Sequence, residues 1–318
     1  MPSAAPYFNK ASIESGPGVR MKSRADAAAT TEYVLEQLGI APSDWKQLLE
    51  IPAQRLLEIQ QSLPFVPPSL GKQPNKGVQL GFGPVVDGGA LPHHPFDPNA
   101  PSVSADKPLL VGWNEDEYTF FAWQQRDASL ATMDDTSMLS RLRGQFGEDA
   151  EQIVATYRRA NPDATPAQLF IAVTSIDMMG LGSIEIAERK VEQQRAPGYL
   201  YNFGYKTEMT IPGTDFPMGT PHAMDISFKF NNEVPPLEGE TPAPSFGGQR
   251  PERYVASHHF AALWTSFART GVPAAENVPE WPVYNLEQRP TMRIDSRCDI
   301  INDRYAEELA MWRSLGRL

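Results

Sequence analysis

The chain has a single cysteine, Cys298, among its 318 residues. No intrachain disulfide can form, and nothing in its covalent chemistry marks an oxidising compartment. It also lacks any basic block that would offset a formal net charge of −11, which argues against nucleic acid or an anionic membrane surface as partner. The N-terminal stretch MPSAAPYFNKASIESG has neither a charged start leading into an apolar core nor anything close to a spanning helix. The expectation is a soluble, cytoplasmic protein that meets small molecules, any export signal of a longer form lying outside this chain. Spaced metal ligands are missing too. His93-His94 and His258-His259 are adjacent pairs without companions, and adjacent side chains seldom converge on one ion. Both pairs are expected to be solvated, and neither metal nor cofactor is expected.

The length suffices for a large α/β core. Thirty prolines fall mostly between periodic segments, which indicates long ordered loops. Lys10–Ser15 reads as a strand stopped by Gly16-Pro17-Gly18, and residues 24–63 as short helices divided by Pro42 and Pro52. Pro64 to Lys107 reads as irregular strands and loop, with an Asp87-Gly88 turn. Leu109–Trp113 is the next strand and Asn114–Glu117 its loop. Met138–Ala160 and Thr165–Gln194 read as helices, the second opened by Thr165 with Pro166 behind it and bent or broken at Gly180 and Gly182. Tyr199–Tyr205 is an aromatic strand. Phe260, Leu263, Trp264 and Phe267 share the core face of a helix that stops at Gly271. Thr291–Asp295 gives a last strand, and Tyr305, Leu309 and Trp312 mark a terminal amphipathic helix. Strands alternating with helices make the class α/β.

Two residues carry the candidate chemistry. His222 stands in MGTPHAMDISFKF, where a Gly-Thr-Pro breaker meets an apolar run, and Glu117 in LLVGWNEDEYTFF, where a buried-strand pattern ends in an acidic turn. Each has a bland reading. A lone loop histidine is ordinarily solvated, and an acid after a strand ordinarily caps the next helix. Together they follow the order of the α/β-hydrolase triad, in which the nucleophile comes first, then the acid, then the histidine. The acid and the histidine lie 105 residues apart.

Several phrases in one order, FNKASIESGPGVR, FGPVVDGGALP, LLVGWNEDEYTFF, APGYLYNFGY, MGTPHAMDISFKF and LWTSFARTGVP with PEWPVYN and PTMRID, make most of the chain resemble the type-B carboxylesterases, the family that includes the cholinesterases. The resemblance implies the C-terminal portion of an α/β-hydrolase fold, a partial central sheet flanked by helices, with residues 1–318 forming one partial domain. It further implies a serine esterase acting on small-molecule carboxylic esters, with Glu117 as the triad acid, His222 as the base and Ser15 as a buried serine that supports the acid. Asp177 matches a structural acid expected to pair with an arginine near the end, Arg304.

The departures from the family pattern are as informative. No G-x-S-x-G elbow occurs anywhere in the sequence, and Gly88-Gly89 lies after the first strand, where it cannot be the glycine-rich oxyanion segment. The triad is therefore expected to be incomplete, the chain inert alone, and Lys10–Ser15 an exposed sheet edge. Two alternatives follow: a split esterase completed by a partner chain carrying the N-terminal half, or an inert hydrolase-like module that binds protein. Phe82, Trp113 and Phe121 are candidates either for the substrate pocket or for ordinary core.

Overall fold

A computed structural model of the chain describes residues 1–63 and 80–318; the part of the expected irregular region at 64–79 lies outside them. Seven strands are present among the described residues: β1 (Ala11–Glu14), β2 (Leu109–Asn114), β3 (Gly198–Phe203), β4 (Thr207–Thr210), β5 (Pro217–Gly219), β6 (Thr291–Ile294) and β7 (Asp299–Ile301). Five form one sheet in the order β1-β2-β3-β6-β7, parallel except for the last pair. In that sheet Glu14 lies opposite Gly112, and Gly112 opposite Tyr201. β4 and β5 pair separately as a small antiparallel ribbon. Neither this ribbon nor β7 is expected from the sequence, because each is too short to show a period.

The helices are α1 (Arg24–Leu38), α2 (Ala53–Ser62), α3 (Tyr118–Gln125), α4 (Asp135–Phe146), α5 (Ala150–Ala160), α6 (Pro166–Ser175), α7 (Leu181–Glu192), α8 (Met224–Lys229), α9 (Glu252–Thr270) and α10 (Ala306–Ser314). Every residue of β2 and β3 is buried, as a parallel sheet covered on both faces requires. Leu109, Val111 and Trp113 of β2 turn one way, into a core made with α4 to α7 and α10. Leu110 of β2 and Tyr199, Tyr201 and Phe203 of β3 turn the other way and pack on Phe228, Phe260, Leu263 and Phe267 of α8 and α9. The aromatic face expected of α9 is thus core, and Gly271, in the left-handed region at φ 82°, ends the helix.

The span expected as one helix from Met138 to Ala160 is two, parted at Gly147, whose φ is 63°. The Thr165–Gln194 helix does begin at a Thr165/Gln168 capping box. It is not broken at its glycines. It passes from α6 to α7 through one π-helical turn, Ile176–Gly180. A side chain at Gly180 would press on Ile176 and the Trp113 ring, and one at Gly182 on Pro17, so both glycines serve close packing. The helical run Pro166–Glu192 is long and apolar enough to span a membrane, and 94% of its most apolar window is buried inside the protein. Of the His258-His259 pair, only His258 is exposed. His259 is buried, with Nδ1 3.1 Å from the Asp295 carbonyl, which corrects the expectation that both are solvated.

β1 pairs only with β2 among the described residues and so forms the edge of the main sheet. Its Glu14 accepts from Trp264 Nε1 at 2.8 Å and binds Lys229, which ties the edge to the α8 and α9 side.

Candidate active site

Glu117 occupies the N-cap position of α3, yet its side chain makes no capping bond, which overturns the bland reading of this acid. The carboxylate is fully buried and turns back toward the sheet. Oε1 accepts from Ser15 Oγ and, at 2.7 Å, from the Asn114 amide. Oε2 lies 2.6 Å from Nδ1 of His222. Ser15 reaches the acid because the chain leaves β1 in the left-handed region, at φ 50°, while its amide still bonds the Gly112 carbonyl at 2.9 Å.

His222 lies in the loop between β5 and α8. An ionised carboxylate can only accept, so Nδ1 carries the shared proton and Nε2 keeps its lone pair free. The side chain is 28% exposed against 0% for Glu117, so the histidine is the member of the pair that faces outward. Phe121 stacks on the ring with centroids 5.5 Å apart and an interplanar angle of 28°, and Phe120 meets it edge-on at 5.6 Å. Burial draws the imidazole pKa down, but the hydrogen bond and charge of Glu117, with the charge of Asp225, outweigh it and hold the pKa above its ordinary value.

Asn114, the last residue of β2, bridges the acid side and the histidine side. Its side-chain Nδ2 donates to the Pro221 carbonyl at 2.8 Å and to Asp225 Oδ1 at 3.2 Å. Asp225, in the first turn of α8, is buried. Burial and the nearby Glu117 charge push its pKa up to about 6. Neither residue is singled out by the sequence. The signal was an Asn and an Asp three residues from Glu117 and His222 respectively.

The remaining candidates fall out separately. Trp113 is core, 2% exposed, and Phe82 is 55% exposed, while Phe121 flanks the histidine. Arg304, expected to meet Asp177, instead donates to Glu115 Oε1 at 2.6 Å, and Asp177 accepts from Gln145 at 2.9 Å. Burial pushes Glu115 upward, but Lys206, Arg304 and Arg293 outweigh it and hold the group well below the usual carboxylate range. Among the described residues no group of His, Cys, Asp and Glu could hold a metal ion.

A mainly parallel sheet covered on both faces, with an acid just beyond one strand and a histidine in the loops beyond the next, defines the α/β-hydrolase fold. The family model described as the Carboxylesterase family matches residues 1–312, and the chain belongs to that family. It is 28% identical over 309 residues to the para-nitrobenzyl esterase of Bacillus subtilis, covering 97% of this chain and 57% of the relative. It is 25% identical to the phenmedipham hydrolase of Pseudarthrobacter oxydans, covering 95% of this chain and 57% of that one. Among solved structures, a carboxylesterase of Geobacillus stearothermophilus superposes with a TM-score of 0.75 at 29% identity, covering 98% of this chain and 60% of that protein. The chain thus spans under two thirds of the length of these relatives.

Proposed function

We propose that this chain supplies the acid and base of a carboxylic-ester hydrolase. In this reading Glu117 orients His222 and stabilises the imidazolium, while Nε2 takes the proton of an attacking serine hydroxyl and returns it to the leaving alcohol. Ser15 and the Asn114 backbone amide hold the carboxylate in place by donating to Oε1. The observation that carries the reading is the 2.6 Å contact between Glu117 and His222, on a ring whose other nitrogen is left for chemistry. A solvated or purely structural histidine has no need of a fully buried carboxylate partner.

The nucleophile and the oxyanion donors belong, in this proposal, to a part of the fold that these 318 residues do not contain, since no G-x-S-x-G occurs in them. Each omission costs orders of magnitude in rate, so the chain alone should hydrolyse esters at close to the background rate. The test is 4-nitrophenyl acetate hydrolysis by the purified chain, with and without a polypeptide carrying the elbow and oxyanion segments of a family member. Turnover on mixing that is abolished by His222→Ala supports the proposal. Turnover that survives His222→Ala, or turnover by the chain alone, rejects it.

A further inference from the structure

The imidazole can meet Glu117 only if its loop is fastened to the turn that follows β2, and Asp116 supplies much of that fastening. Its amide donates to the Thr220 carbonyl at 3.1 Å, and its Oδ2 accepts the Thr220 amide at 2.8 Å. The two peptides are clasped in both directions. Thr220 is itself fully buried and spends its hydroxyl on the Tyr205 carbonyl at 2.8 Å, so its position is well determined. Lys206 balances the Asp116 charge.

Gly219 makes the approach possible. Its φ is 65°, and any Cβ there would overlap the Asp116 carboxylate. Beyond Thr220 come Pro221, stiff in φ and tied through its carbonyl to Asn114 at 2.8 Å, and then His222. A displacement at Thr220 is therefore passed on to the ring. Hydrogen bonds weaken steeply once donor and acceptor part beyond about 3.2 Å, and a misplacement of about 1 Å near a reacting centre can cost about a hundredfold in rate.

We propose that Asp116 is a positioning residue for His222: its carboxylate, admitted by Gly219, grips Thr220 and so sets the contact between Nδ1 and Glu117. This rests on the reading of His222 as the base. The full chain, labelled for NMR, tests it through the His222 ring titration and the Nδ1 proton resonance in the wild type, Asp116→Asn, Asp116→Ala and Glu117→Gln.

The Asn and Ala variants carry the same charge, so any difference between them reports the clasp and not the lost ion pair. Asn can still accept the Thr220 amide and should keep the Nδ1 resonance. Ala should lose it and bring the His222 midpoint down by about one pH unit relative to Asn. Identical behaviour of Asn and Ala overturns the inference. If Glu117→Gln lowers the midpoint while Ala and Asn agree, only the role of Asp116 fails. If Glu117→Gln leaves the midpoint unmoved, the reading of the Glu117–His222 pair fails instead. Should Asp116→Ala not fold, Asp116→Glu keeps the charge and lengthens the arm. It should still lower the midpoint, and an unchanged midpoint overturns the inference.

Discussion

A methyl group at Gly112 would overlap both the ring and the carbonyl oxygen of Tyr201, the residue opposite it on β3. The carbonyl belongs to a neighbouring strand buried on both faces and has nowhere to retreat. Gly112→Ala is expected to cost on the order of 3 kcal/mol or more. Urea unfolding of the two proteins side by side measures this, and a common midpoint would show that the sheet can part there.

Ser15 offers a finer comparison. Its hydroxyl bonds the buried Glu117 carboxylate, and its backbone sits at φ 50°. Ser15→Ala loses the bond and keeps the unfavourable conformation, whereas Ser15→Gly loses the bond but relieves the backbone. Glycine should be the milder change by about 1 kcal/mol. Thermal unfolding that ranks alanine above glycine would contradict this.

Under the proposed function, in which His222 is the base, its raised pKa has a direct sign for catalysis. A base must be neutral, and an imidazole whose proton is held past its ordinary pKa stays charged to higher pH. In the reconstituted enzyme, the rising limb of kcat/KM against pH should have its midpoint above about 6.5. A profile already flat at pH 6 would assign that limb to some other group.

Asp225 predicts an unusual pH dependence of stability. Its carboxyl pKa rises from 3.8 to about 6 in the fold, so the folded state binds this proton more tightly than the unfolded state. The contribution is most favourable below pH 3.8 and declines as pH climbs through 6, reaching a penalty on the order of 3 kcal/mol by pH 8. Asp225→Asn keeps an oxygen for Asn114 and removes the charge. It should raise the Tm at pH 8 and give little gain near pH 4. An equal effect at both pH values would show that the buried charge is not the cause.

Cys298 is buried, and burial pushes its thiol up to about 11. At pH 7.5 little thiolate is present and it is poorly accessible. Iodoacetamide should label the native chain slowly and the urea-unfolded chain quickly. Comparable rates would place the thiol at the surface.

Much of the layout is legible in the residues, because the features that specify it are local or periodic. Thr165 and Pro166 announce the start of a helix, Gly271 its end, and the spacing from Phe260 to Phe267 its buried face. The pairing of Glu117 with His222 is legible only through chain order and likeness to a family. The supports of the site are not legible at all. Asn114, Asp116 and Thr220 act through bonds between side chains and backbone more than a hundred residues apart, and such bonds leave no period behind them. The two histidines in α9 show the opposite failure. Neighbours on a helix point about 100° apart, so one of them had reason to be inward, and reading them as a pair hid this.

The edge position of β1 carries a consequence for any strand that joins the sheet there. Parallel strands lie about 4.8 Å apart with their carboxyl ends aligned, and β1 terminates at Glu14, immediately before the serine that grips Glu117. A strand laid alongside it in parallel would thus end beside Ser15, whose hydroxyl bonds the Glu117 carboxylate. The rim of the sheet is a ruler as well as a boundary, and a slip of a single residue along it would turn the arriving side chain to the wrong face of the molecule.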